Sequence, residues 1–96
     1  MIEKTPQQLA TDLLLQSEEY SRYSGMYAEL IKVQADYFHE HRAEYKSDTA
    51  TDREFDRTDE GVKMTVIKMK IKALEKSMSA IKTMLRHKEI EVRNLY

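Results

Sequence analysis

Ten positions between residues 64 and 95 step by three and four without a break: Met64, Ile67, Ile71, Leu74, Met78, Ile81, Leu85, Lys88, Val92 and Leu95. Nine of the ten are apolar, and only Lys88 is polar. Such spacing gathers side chains along one edge of a helix, the rhythm of a seam laid against a partner helix over more than four heptads. It fixes an architecture rather than a chemistry. With two glycines and one proline in 96 residues, there are few places to turn the chain, so the expected fold is all-α.

A second long helix is predicted upstream. Thr5, Pro6 and Gln8 supply an N-cap hydroxyl, a proline at the first helical position and a capping-box glutamine, so the first helix should start at Pro6. Leu9, Leu13, Leu14, Tyr20, Tyr23, Tyr27, Leu30, Ile31, Tyr37, Phe38 and Tyr45 then recur at short helical steps as far as about Lys46. Beside them runs a row of small side chains: Ala10, Ser17, Ser21, Ser24, Ala28 and Ala35. Gly25, inside this helix, costs about 1 kcal/mol relative to alanine and marks a close crossing or a kink. Residues 47–60, rich in Asp and Thr and followed by Gly61, read as a connector in which Ala50, Phe55 and the charges around Arg53 and Arg57 tolerate a turn or two of helix. The second helix then covers about 61–94. The whole chain, 1–96, is one domain: a long antiparallel hairpin of coiled-coil type.

Val62, Val66, Met69, Ala73 and Ala80 form another apolar row on the second helix, away from the seam. A helix apolar on two sides needs two neighbours. One hairpin supplies one, so a second copy is expected to supply the other, giving a dimeric four-helix bundle.

Charge is segregated although the net charge is only −1. Residues 1–46 carry −3 and residues 47–60 carry −4, whereas residues 61–88 hold Lys63, Lys68, Lys70, Lys72, Lys76, Lys82, Arg86 and Lys88 against Glu75 alone. Two readings follow. Lys63, Lys70, Lys72, Lys76 and Arg86 are candidates for contacting nucleic-acid phosphates, with tyrosines stacking on unpaired bases. Alternatively, the cations flank the seam and meet acids of the first helix such as Glu18, Glu29, Asp36 and Glu40. The near-neutral balance and the preference for Lys over Arg favour the second. The tyrosines and methionines are read first as bundle core with hydroxyls at the rim, and second as an adaptable binding strip.

Catalytic and metal chemistry finds little support. His39 and His41 are two residues apart, so on a helix they diverge and cannot share a metal, leaving only pairings such as His39 with Glu44 or Tyr45, or a site between subunits. There are no Glu-x-x-His pairs, no glycine-rich phosphate loop and no nucleophilic triad. The absence of cysteine removes disulfides, thiolate nucleophiles and zinc knuckles. No catalysis, cofactor or metal is expected. No run approaches the roughly 18 apolar residues of a membrane span, and the opening stretch MIEKTPQQLATDLLL includes Asp12 and lacks a signal cleavage site. A cytoplasmic protein without membrane contact is expected.

The stretch KIKALEKSMSAIKTMLRHKEIEVRN at residues 70–94 resembles the closing segment of short helical proteins encoded by bacteriophages and prophages near recombination or single-strand-binding genes. The matching elements are the Lys-Ala-Leu-Glu-Lys core at 72–76, the Ala-Ile-Lys-Thr step at 80–83, and Glu91, Arg93 and Asn94. The resemblance implies a phage context, and with it a small helper in DNA metabolism or on a host protein, in the host-cell cytoplasm. It implies no activity. The expected function is therefore a non-enzymatic interaction protein with a protein partner, and the alternative is a nucleic-acid-binding accessory protein.

Overall fold

The computed structural model describes residues 3–94, the side chains of Val92 and Asn94 excepted. Helix α1 (Pro6–His41) is followed by a 3-10 turn (Arg42–Glu44), a short helix α2 (Asp48–Asp56) and a second long helix α3 (Asp59–Asn94). No strand occurs among the described residues. The molecule is a rod of 69 × 23 × 19 Å with a radius of gyration of 20.1 Å, against about 12–13 Å for a compact domain of this length. Its length is set by the two 36-residue helices, each about 54 Å long at 1.5 Å per residue.

Helix α1 starts where its cap dictates. The Thr5 hydroxyl accepts from the Gln8 N–H at 3.2 Å, and the Gln8 side chain accepts from the Thr5 N–H at 2.9 Å. It stops at His41, before Lys46, because the chain tightens into the 3-10 turn, in which the Tyr45 N–H donates to the Arg42 carbonyl. Arg42 also reaches Asp48 and donates to the Tyr45 carbonyl at 2.9 Å, holding the turn.

Most of the segment expected as a connector is helical. Ser47 caps α2 by accepting from the Ala50 N–H at 3.1 Å. Asp and Thr are weak helix formers, but Thr51 and Phe55, only 0% and 2% exposed, face inward and anchor the element. Tertiary burial overrides propensity here. The Phe55 ring lies 5.5 Å from that of Tyr37, which packs 4.4 Å from His41, so α2 plugs the closed end of the hairpin. The turn into α3 is equally tight. Thr58 donates to the Phe55 carbonyl at 2.6 Å and accepts from the Gly61 N–H at 3.1 Å. A Cβ on Gly61 would lie 2.7 Å from the Asp56 Cα and closer still to the Phe55 carbonyl oxygen, so glycine is required by the close approach of α2.

The long helices run antiparallel. Along the seam Ser17 meets Met78 at 3.6 Å, the Tyr20 hydroxyl donates to Glu75 at 3.2 Å, and Lys70 reaches the Tyr23 hydroxyl at 3.5 Å, the numbers on α3 falling as those on α1 rise. On α3 every seam position from 64 to 88 is buried or half-buried, with Ile67 and Ile81 at 3% and 5% exposure. Lys88 ends this stretch half-buried, paired with Glu3 at 3.3 Å. Val92 and Leu95 lie outside the described side chains. The matching row on α1 is Leu9, Leu13, Gln16, Tyr20, Tyr23, Tyr27, Leu30, Gln34, Tyr37 and His41, all buried or half-buried. Two glutamines thus belong to the inward edge, and the Gln16 side-chain oxygen is buried there without a hydrogen-bond partner.

Leu14, Ile31 and Phe38 do not share that edge. They fall in step with the small residues, and together these form a second continuous row at three- and four-residue spacing: Ala10, Leu14, Ser17, Ser21, Ser24, Ala28, Ile31, Ala35 and Phe38. Seven of the nine are exposed, and Ser24 and Phe38 are half-buried.

Candidate functional site

The seam residues Met64, Ile67, Ile71, Leu74, Met78, Ile81 and Leu85 are spent inside the hairpin against α1. They form its core, so any surface for another molecule must be built elsewhere. In the heptad frame of that seam, Val62, Val66, Met69, Ala73 and Ala80 occupy the back of α3, and all five are exposed, Met69 at 66%.

The cations border this bare row. Lys63 and Lys70 lie along one side of it, Lys72 and Arg86 along the other, and Lys76 falls within it. All five are exposed. Thus the five residues singled out for phosphate contact share one outward face, and that face is apolar along its centre.

The acids of α1 do not neutralise it. Among the described residues, none of Lys63, Lys68, Lys70, Lys72, Lys76, Lys82 and Arg86 forms an ion pair with an acid of α1. Glu29 pairs with Lys32 at 3.4 Å, and Glu40 lies 3.9 Å from His41. Glu18 and Asp36 point away from α3, being on outward heptad positions of α1. The expectation that these four acids meet the lysines therefore fails, because the seam places Glu18, Glu29 and Asp36 on the far side of the first helix and Glu40 turns to its neighbour His41. Lys70 turns back only as far as Tyr23, its ammonium 5.2 Å from the ring centre.

No known family model matches the chain, and no curated protein or solved structure is significantly similar to it. The residues themselves carry the functional argument.

Tyr20, Tyr23, Tyr27, Tyr37 and Tyr45 sit at the rim of the core, half-buried, with Tyr20, Tyr23 and Tyr37 directing their hydroxyls to Glu75, Lys70 and Tyr45. Tyr37 is strongly perturbed. Its hydrogen bond to the Tyr45 hydroxyl at 3.4 Å, then burial, then the nearby charges of Glu54 and Glu44, push its pKa up to about 12. A phenol held neutral in this way is a structural plug rather than a proton-transfer group at neutral pH. His39 is exposed, whereas His41 is half-buried against Tyr37 with Nδ1 3.1 Å from Glu44, so the two imidazoles part. Among the described residues no three His, Asp or Glu side chains converge on a common point.

A depression of about 570 Å³ lies at the open end of the hairpin. Pro6 and Leu85 form its apolar floor, and Lys82, Arg86, Lys88, Glu89 and Arg93 surround it. It extends the cationic character of α3 to the tip of the rod. Among the described residues no helix is long and apolar enough to cross a membrane.

Proposed function

We propose that this chain is a non-enzymatic interaction protein of phage or prophage origin, acting in the host-cell cytoplasm as a paired helical hairpin that grips a protein partner with the outer face of α3. The observation that carries the reading is the bare row Val62, Val66, Met69, Ala73 and Ala80, edged by Lys63, Lys70, Lys72 and Arg86 and interrupted by Lys76, with no acid of α1 paired to them among the described residues. Apolar side chains left in water favour an occupant that covers them. Flanking cations select one with acidic edges and repel basic competitors. An amphipathic helix with a hydrophobic stripe between glutamates or aspartates meets both demands. The phage context is supported by the resemblance of residues 70–94.

A second reading uses the same cations for nucleic acid. It is favoured by their freedom from α1 and by their spread from residue 63 to 86, about 35 Å of helix. Under this reading the apolar centre contributes little, and affinity collapses with added salt.

One titration separates the two. A fluorescent synthetic helix with a leucine stripe edged by glutamates, and single- and double-stranded oligonucleotides, are titrated at two salt concentrations against the protein and its Val66→Ser/Met69→Ser variant. The protein-partner reading predicts that the peptide binds and the variant loses it by tenfold or more. Steep, salt-dependent oligonucleotide binding that the variant retains, with no peptide binding, transfers the function to nucleic acid.

A further inference from the structure

The row of nine on α1, residues 10–38, contains no charged side chain, yet most of it faces solvent, Leu14 at 60% and Ile31 at 45% exposure. Its sequence is also complementary to its own reverse. An antiparallel partner turned about a two-fold axis at Ser24 sets Ala10 against the partner's Phe38, Leu14 against the partner's Ala35, and Ser17 against the partner's Ile31. Nearer the axis, Ser21 meets the partner's Ala28, and Ser24 meets the partner's Ser24. Every bulky residue faces a small one.

The smallest residues collect where two crossing helices come closest. Ser21, Ser24 and Ala28 surround the axis. Bulk increases outward, where crossed helices diverge. The flank is complementary as well: the same rotation brings Glu18 level with the partner's Lys32, and Lys32 level with the partner's Glu18. The corresponding pairing of α3 with α3 would oppose Lys63, Lys70, Lys72, Lys76 and Arg86 to their own copies, which like-charge repulsion disfavours.

We infer that the chain pairs with a second copy of itself through an antiparallel, two-fold contact between the residue 10–38 rows of two α1 helices. This rests on the reading of the protein as a paired hairpin and names the surface that makes the pair. A two-fold contact requires that residue i touch j while j touches i, and this row satisfies the condition along its length. The row lies about a quarter turn round α1 from the inward seam, so the four helices stack as a square. Both α3 helices fall on the same side, Lys68 comes level with the partner's Glu75, and the cationic backs of α3 stay outside, free for another molecule.

Sedimentation equilibrium on the protein, Ser21→Glu and Met69→Glu, with mild oxidation of Ser24→Cys and Ser79→Cys in this cysteine-free chain, tests the inference. The protein and Met69→Glu are expected at twice the 11.4 kDa of one chain, and Ser21→Glu at one chain with its helix content and cooperative melting retained, the melting point falling toward that of the dissociated chain. Ser24→Cys should be trapped as a disulfide dimer and Ser79→Cys should not. A protein that stays single through 100-fold changes in micromolar concentration overturns both the inference and the paired reading. A dimer dissolved by Met69→Glu but not by Ser21→Glu, with Ser24→Cys left uncrosslinked, overturns the inference and leaves the paired reading standing.

Discussion

Replacing each of the two glycines by alanine should move stability in opposite directions, although both lie in long helices. In an open helix interior the exchange stabilises by about 1 kcal/mol, because alanine has less chain entropy to lose. Gly25 fits that case, since an added Cβ meets nothing within 4 Å. At Gly61 the added carbon would lie 2.7 Å from the Asp56 Cα and nearer still to the Phe55 carbonyl. Both obstacles are backbone, so no rotamer change relieves them, and the α2–α3 corner must open. Overpacking of this kind costs about 1–3 kcal/mol, and withdrawal of the buried Phe55 ring would add to it. After the helical gain is subtracted, a net loss of up to about 2 kcal/mol remains from the overpacking, and the loss of Phe55 packing adds to it. For a chain of this size each kcal/mol moves the melting temperature by about 4–8 °C. Thermal melts followed by far-ultraviolet circular dichroism, at matched micromolar concentration, should show Gly25→Ala melting higher than the parent and Gly61→Ala lower. A Gly61→Ala variant that melts at or above the parent would refute the argument that α2 is clamped against the start of α3.

Other expectations follow from the same packing. Ile67→Ala and Ile81→Ala should each lose about 2–5 kcal/mol in chemical denaturation, and Val62→Ala close to nothing, since the first two line the core and the third faces water; equal losses would contradict the assignment of faces. Gln16→Leu should gain about 1 kcal/mol by removing a buried oxygen without a partner, and a loss would show that the amide is satisfied. Tyr37 has a folded pKa raised to about 12 from 10.0, so the folded state holds its proton longer than the unfolded chain does. Its contribution is complete below pH 10 and is lost as pH rises toward 12. Ultraviolet titration should show one late-ionising tyrosine that disappears in Tyr37→Phe.

The two long helices differed in how far their sequences revealed them. On α3 the inward edge is written in Leu, Ile and Met, and the spacing alone places those residues at the seam. On α1 the inward edge includes Gln16, Gln34 and His41, while Leu14, Ile31 and Phe38 face elsewhere. Hydrophobicity therefore merged two rows into one broad stripe, and only the strict spacing of three and four separates them. Residues 47–60 looked like a connector because Asp and Thr dominate them. The burial of Phe55, which decides in favour of helix, depends on Tyr37, distant in sequence, and on the close approach that Gly61 permits. The cationic face was legible as composition. Its lack of ion pairs was not, because that depends on which way Glu18, Glu29, Asp36 and Glu40 point once the seam has fixed the rotation of α1.

The antiparallel register of α1 on α3 underlies every assignment of a face, and a single disulfide reads it directly. Ser17→Cys/Met78→Cys joins positions whose side chains touch at 3.6 Å, and the chain has no other cysteine. Mild oxidation of the dilute double variant should close a bridge within one chain, and Ser17→Cys/Val66→Cys should not close one. Oxidation giving only bridges between chains, or equal closure in both variants, would contradict the hairpin.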